Sequence, residues 1–277
     1  MARRHVFRTW DDYFIPGTSV LRNKFTGPGT PCGETDPVRL RSLEEFHARS
    51  RLIELAARPI EGCFDYAHMK AIHRYVFQDV YEWAGQERVG PATFMVKTGL
   101  DVVHFEVGDP RPPRCPTRYY PAGPELGRAA EEQYRRLADQ YLLLGLDHDA
   151  FAVALAEVWG ELNVIHSFRE GNTRSQFVFF SQLAAQAGWR LEPARFVPGT
   201  RGREEFVAAR FYSQATGSND RLAQVLAREI VPAASLGRHE RQDMTPERLR
   251  AQIEERASRL YRPEDDGESR QHRGRRR

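Results

Sequence analysis

Residues Asn163 to Gln176, Asn-Val-Ile-His-Ser-Phe-Arg-Glu-Gly-Asn-Thr-Arg-Ser-Gln, constrain this chain more than any other stretch. An apolar helical run, Ala150 to Leu162, leads into them, and a second, Gln176 to Gly188, leads out. The pattern predicts helix, short loop, helix, with the second helix starting at about Asn172–Thr173. The first N–H groups of that helix lack intrahelical acceptors and point into the loop. The macrodipole adds partial positive charge at the same place. Gly171 allows a ligand close to the backbone. This is the composition of a phosphate cradle. Glu170 is placed to hold a divalent cation that binds phosphate oxygens in turn. Arg174 offers the same phosphates a planar fork of donors. His166 lies at the edge of the cradle as a candidate base.

Each of these residues also has a plain structural reading. A histidine after Ile165 fits a core or capping role, and Glu170 taken alone is a solvated carboxylate. Asn172 stands where an asparagine most often caps a helix, which is compatible with lining an anion site. Arg174 falls on the first helical turn, where the dipole disfavours a cation and so implies an anion partner. A metal pair of His166 with Glu170 leaves Gly171 and Asn172 without a purpose. Phe168 reads as a packing anchor for the loop, and Arg169 as exposed.

The string His166-Ser167-Phe168-Arg169-Glu170-Gly171-Asn172-Thr173-Arg174 resembles the Fic family motif, His-Pro-Phe-x-Asp/Glu-Gly-Asn-x-Arg-x-x-Arg. Asp12 to Lys24 is similar to the N-terminal arm of toxin-type Fic proteins, and Phe64–Arg88 resembles the Fic core, with Tyr81 and Trp83 structural. The resemblance implies a protein adenylyltransferase that moves AMP from ATP onto a Ser, Thr or Tyr hydroxyl. It implies His166 as catalytic base, Gly171, Asn172, Thr173 and Arg174 as phosphate-binding residues, and Glu170 as the Mg2+ ligand. It also implies a toxin or effector, with targets such as the B-type subunits of type II topoisomerases and with a small antitoxin in trans. Two positions depart from the motif: Ser167 replaces proline, and Phe177 replaces the second arginine, which in AMP-transferring relatives touches the γ-phosphate. Fic relatives that act as kinases typically carry Ala for Gly and Lys before the first arginine. Gly171 and Thr173 set this chain closer to the AMP-transferring type. The alternatives are a Fic phosphotransferase or a transferase of another nucleotide, and a catalytically degenerate Fic-fold binding module. Self-inhibited relatives carry Ser/Thr-x-x-x-Glu-Gly/Asn. The nearest string, Ser50 to Leu55, ends in the wrong residue within a core helix, so no inhibitory helix is expected.

The rest of the chain is read around that centre. Residues 1–40 are rich in turn formers and form an arm held by Trp10, Tyr13, Phe14, Val20 and Leu21. A helix capped by Asp36 or Ser42 runs to Pro59, and another runs from Asp65 to Tyr81 and is closed by Gly85. His68 and His73 on it are five apart and off one face, which argues against a metal pair. Residues 88–107 read as a β-hairpin turning near Lys97-Thr98-Gly99, the alternative being a plain helix connection. The resemblance makes this the flap, with Val96, Lys97 and Thr98 positioning the target by strand addition. Lys97 either steers the target or solvates the turn. Asp109 to Pro124 reads as a proline-rich loop. Glu125–Leu144 is amphipathic, and Asp147 or Asp149 caps the helix that ends at the motif. Phe177, Val178, Phe179, Phe180 and Leu183 mark the expected central helix, and residues 202–231 hold two shorter ones. Met244–Leu260 is a candidate charged helix, followed by a tail ending in arginines whose one route to nucleic acid is that cluster.

The resulting expectation is an all-α Fic-type domain, residues 41–232, with a small β-hairpin flap, the N-terminal arm, and a charged tail at 233–277. Hydrophobic content of 40% supports a folded core, and a net charge of +3 is too small to argue for nucleic acid. Cys32, Cys63 and Cys115 show no zinc spacing and, being odd in number, no disulfide framework. They read as reduced thiols of a cytoplasmic protein, with delivery into another cell through a C-terminal signal left open. No run approaches a membrane span.

Overall fold

A helix that is apolar on every side belongs inside a protein rather than on its surface. Helix α4 (His148–Ile165) comes near this, burying Phe151, Leu155, Val158, Trp159 and Leu162 among others and exposing, past its first turn, only a narrow stripe through Val153, Glu157 and Glu161. It packs against α3 (Pro124–Asp139), α5 (Asn172–Gln186), α6 (Arg201–Thr216) and α7 (Asp220–Glu229). The sequence reading gave the central place to α5. The structure gives it to α4, because α5 leaves Phe177 and Val178 only partly buried along a groove. Helices α1 (Pro37–Ala57) and α2 (Tyr66–Phe77) cover the other side of α5. The computed structural model describes residues 5–191, 196–197 and 199–233. The expected helix Met244–Leu260 and the arginine-rich terminus lie outside the described residues.

Local chemistry sets the helix ends. Asp36, with Pro37 following, caps α1 through Oδ1 to the Val38 N–H at 2.8 Å; Ser42 instead bonds within the helix. Asp65 caps α2, and Asp147, not Asp149, caps α4. α2 ends at Phe77, short of the expected Tyr81, and the following turns bring Gly85, at φ 79°, back against it. There the Gly85 N–H donates to His73 Nδ1 at 2.8 Å. In the N-terminal arm, Tyr13, Ile15 and Val20 are buried. The Tyr13 hydroxyl accepts from the Val89 N–H at 3.1 Å and its ring meets Trp83 edge-on.

The β-hairpin is larger than, and displaced from, the expected one. Strand β1 (Phe94–Leu100) pairs antiparallel with β2 (Arg114–Pro121), and Lys97, taken for the turn, lies mid-strand opposite Thr117. The true connection runs from 101 to 113. The prolines of 109–124 do not prevent a strand there, since a two-stranded ribbon has only edge strands and tolerates prolines whose ring faces outward. A period-two signal was present: Cys115, Thr117 and Tyr119 face inward while Pro116, Arg118 and Tyr120 are exposed. Gln214 of α6 donates to the Arg118 carbonyl at 2.6 Å, which docks the ribbon on the helices. A second small sheet, β3 (Trp189–Leu191) with β4 (Ile230–Pro232), ends α7 before the expected Val231. No helix among the described residues is long and apolar enough to cross a membrane. The three cysteines are free thiols.

Candidate active site

Helix α4 delivers its histidine by ending on it. His166 is the C-cap, in the left-handed region at φ 53° and ψ 59°, and its N–H donates to the Leu162 carbonyl. A side-chain-bearing residue holds that conformation only when its surroundings enforce it. Arg88 does so here. Its Nε donates to the His166 carbonyl at 2.8 Å, its Nη2 donates to Ile165 and Tyr120 carbonyls, and its own N–H donates to the Ser167 carbonyl. A cation also complements the negative end of α4. Arg88 is buried, and burial pushes its guanidinium down to about 10. Replacing Arg88 with methionine strands these carbonyls in the interior. We expect stability to fall by about 2 kcal/mol, read as a lower urea midpoint with unchanged slope.

The imidazole is set for one task. Nδ1 lies 3.3 Å from the Asn163 carbonyl, and Nε2 is buried without a hydrogen-bond partner among the described residues. A carbonyl only accepts, so the proton sits on Nδ1 and Nε2 keeps its lone pair. Burial, then the charges of Lys97, Arg210 and Arg88, hold the histidine well below its ordinary pKa. It is a neutral base at neutral pH.

The loop after it is fastened from below. Phe168 is buried and stacks on His73 with centroids 3.9 Å apart. His73 accepts from Gly85 at Nδ1, so Nε2 carries its proton and donates to the Glu170 carbonyl at 2.9 Å. Burial pushes His73 down to about 3. His68 is buried too and meets the Ile60 carbonyl, so the two histidines serve separate structural posts. Asn172 does not cap α5. Its Oδ1 accepts from the Phe168 N–H and its Nδ2 donates to the Phe168 carbonyl, which closes the loop on itself. No side chain caps α5. Its leading N–H groups are thus left for a ligand. Gly171 turns at φ 80°, with Phe77 pressed against its α-carbon.

Charged groups ring this cradle. Burial alone raises the pKa of the Glu170 carboxyl, but Lys97, the Gly171 N–H and Arg174 outweigh it and keep the group ionised. Arg174 rests over the Phe77 ring at 4.6 Å and pairs through Nη2 with Glu44 of α1, a residue the sequence reading passed over. Glu44 also accepts from the Tyr81 hydroxyl, and 130 residues separate it from Arg174, so no local pattern could expose the pairing. Arg210 of α6 was likewise missed. It is buried, and it donates to Thr173 Oγ1 at 2.8 Å and to Gln176 and Asn163 side-chain oxygens. On the flap, Lys97 turns inward while Val96 and Thr98 are exposed on the opposite face. Burial pulls the Lys97 amine below its ordinary pKa.

Lys97, His166, Glu170, Gly171, Asn172, Thr173 and Arg174 all border one cavity of about 1440 Å³. Val96, Thr98 and Phe168 do not line it. A second cavity of about 160 Å³ lies behind, between His166, Tyr119 and α6. Phe177 borders the large cavity and packs on Trp159 and Phe196, an apolar contact where an arginine would carry charge. Among the described residues no cluster of three His, Cys, Asp or Glu side chains forms a self-sufficient metal site. An arrangement with a neutral buried base beside a cationic, N–H-lined pocket suits proton removal from a nucleophile that attacks a bound phosphate.

Comparison with known proteins points the same way. Residues 63–184 match the sequence model of the Fic/DOC family. The chain is 31% identical over 220 residues to the protein adenylyltransferase VbhT of Bartonella schoenbuchensis, a match covering 79% of this chain and 39% of that longer protein. It is 35% identical over 189 residues to the probable protein adenylyltransferase y4lH of Sinorhizobium fredii, covering 68% of this chain and 82% of the relative. Among solved structures, BepC of Bartonella tribocorum, a VirB-translocated effector with bound AMPPNP, aligns with a TM-score of 0.63 at 25% identity, covering 80% of this chain and 97% of that one. The N-terminal Fic domain of a Bartonella quintana effector protein, with bound ADP, has the same fold at a TM-score of 0.64 and 23% identity, covering 81% of this chain and 96% of that one.

Proposed function

Since the chain belongs to the Fic/DOC family, we propose that it is a protein adenylyltransferase, moving AMP from ATP to a hydroxyl of another protein. The observation that carries this reading is the bare Nε2 of His166, buried at the border of the cavity that also holds the α5 N-terminus. Nε2 takes the proton of a target Ser, Thr or Tyr as its oxygen attacks the α-phosphorus. The oxygen–phosphorus bond forms, the bridge to the β-phosphate breaks, and pyrophosphate leaves. The leading N–H groups of α5, at Asn172 and Thr173, and the free donors of Arg174 hold the phosphates, and the Gly171 turn lets them approach the backbone.

Glu170 is ionised and beside the cradle, which fits Mg2+, a cation that takes one or two protein carboxylates and leaves its other positions to phosphate and water. When bound, the metal would neutralise charge on the departing phosphates. Glu170→Gln is expected to raise the Mg2+ needed for half-maximal transfer by at least about 10-fold, the smaller loss seen for disturbed ligand support. An unchanged Mg2+ titration would remove Glu170 from that role.

The outer edge of β1 is unpaired among the described residues, and Phe94, Val96 and Leu100 are exposed along it. An extended segment of the target adds there as a further strand, with Val96 and Thr98 at its side and Lys97 reaching the reaction centre. Resemblance to toxin-type members makes the B-type subunit of a type II topoisomerase the first target to test, with an antitoxin in trans and delivery as an effector as the accompanying proposals. The direct test supplies ATP labelled at the α- or the γ-phosphate to a bacterial lysate containing the protein. Transfer of α-label is the expected result. Transfer of γ-label alone would replace this reading with phosphotransfer.

A further inference from the structure

Position 177 is where the sequence lacks a cation, and the neighbouring helix brings one to the same cavity. Arg203 lies in the first turn of α6, three residues before Phe206, which packs edge-on against Phe196, itself in contact with Phe177. Its side chain borders the large cavity beside Thr173, Arg174 and Phe177, and also borders the small one beside Lys97, His166 and Arg210. Its backbone N–H is taken by the Thr200 cap, but its guanidinium makes no ion pair among the described residues. The adjacent Glu205 is already engaged by Arg201 and Arg228.

This placement is costly unless something answers it. Arg203 is half-buried, and burial followed by the nearby Arg174 charge lowers its pKa. A cation in the first turn of a helix also meets the positive end of the dipole. Arg210, two turns further along the same face of α6, is buried with its third guanidinium nitrogen, Nε, left without a partner among the described residues. Of the cations here, Arg174 has Glu44 and Lys97 has Glu170 nearby, whereas Arg203 and Arg210 pair with no carboxylate among the described residues. Positive charge therefore exceeds negative on the α6 wall. A polyphosphate is the ligand whose charge and oxygen geometry match a guanidinium fork on each side.

We propose that Arg203 is a phosphate-binding residue that grips the part of the triphosphate beyond the cradle, so that the nucleotide is held between α5 and α6 rather than by α5 alone. The inference rests on the adenylyl-transfer reading above. It assigns to Arg203 the work that Phe177 cannot do, and it makes Phe177 an apolar support for the α6 aromatic cluster.

The test is binding of ATP and of AMP, each with Mg2+, to the full chain carrying Arg203→Ala and Arg203→Lys. Arg203→Ala should weaken ATP at least about 10-fold, the size of losing one charge-assisted contact, and leave AMP within about 2-fold. Arg203→Lys should recover part of the ATP affinity. The KM for ATP should rise in Arg203→Ala while kcat changes less. Equal weakening of ATP and AMP, or no change in either, would overturn the proposal, and an unchanged thermal midpoint in both variants confirms that folding is not the cause. If the unaltered protein transfers α-label and Arg203→Ala keeps its KM, this inference fails alone. If the unaltered protein binds no ATP, the adenylyl-transfer reading fails with it.

Discussion

Replacing His166 with alanine should lower the rate of AMP transfer by about 10²–10⁴-fold, the usual contribution of a positioned base, while ATP affinity changes only a few-fold. The argument is geometric. Nε2 has no partner among the described residues and the substitution gives up only the Nδ1 contact to the Asn163 carbonyl, while the phosphate cradle is built from α5 and held by His73 and Asn172. A fall in kcat with an intact nucleotide titration is the expected signature. Loss of ATP binding in parallel would mean that His166 builds the pocket instead. The pH dependence follows from burial. The folded histidine sits well below the ordinary value of about 6.5, so the base is fully available at pH 7 and its rate should not decline between pH 7 and 6. An exposed histidine would lose more than half its free base over that interval. The linked stability has a definite sign. The unfolded chain binds a proton at this group below about pH 6.5 and the folded chain does not, so the group's contribution is present above that pH and lost as pH falls through the folded pKa. His166→Ala lacks this dependence, and its thermal midpoint should gain on the unaltered protein as pH drops below about 6.

Gly171→Ala should destabilise the protein and abolish nucleotide binding together. The backbone there is left-handed, at φ 80°, which by itself costs an alanine about 1 kcal/mol. The added Cβ would stand 2.2 Å from Phe77 Cε2 and 2.3 Å from Cζ, well inside contact distance. Phe77 cannot yield cheaply. It is fully buried against His73 and carries the Arg174 guanidinium on its face. Overpacking of that kind costs about 1–3 kcal/mol, giving about 2–4 kcal/mol in total. Any relief must move the loop or Arg174, so nucleotide binding should be lost even where the protein still folds. Gly217→Ala is the control, because that glycine has φ 77° but nothing within 4 Å of an added Cβ. It should cost only about 1 kcal/mol and leave transfer unchanged. Equal stability of the two variants would show that Phe77 has room to move.

Much of the site could be read because its parts are contiguous. His166, Glu170, Gly171, Asn172, Thr173 and Arg174 fall within one helix–loop–helix, and helix periodicity on either side fixes where the α5 N-terminus must lie. Capping residues were legible in part: the sequence offers Asp36 or Ser42 and Asp147 or Asp149, and the structure takes Asp36 and Asp147, while Asp65, the first residue of its expected helix, serves as the cap of α2. The hairpin was legible in kind but not in place, since its prolines read as loop while its alternation ran through Cys115, Thr117 and Tyr119. Capping is the commonest local role for an asparagine in the place of Asn172 and is compatible with lining an anion site, yet its amide closes the loop on Phe168, a preference decided by what the loop must satisfy.

What the sequence alone determined was the order of helices, the loop that joins α4 to α5, and the places of His166, Glu170 and the Gly171 turn along it. These depend on short-range spacing and on the backbone groups every helix start exposes. What only the tertiary structure decided was the company these groups keep: Arg88 on the end of α4, Glu44 on Arg174, Lys97 turned inward from mid-strand, and Arg203 and Arg210 facing the cradle from α6. Each comes from an element far away in the chain, and charge is felt through space rather than along sequence. The chemistry of the loop is therefore written locally, while its protonation state and its surplus of positive charge are set by how the helices pack.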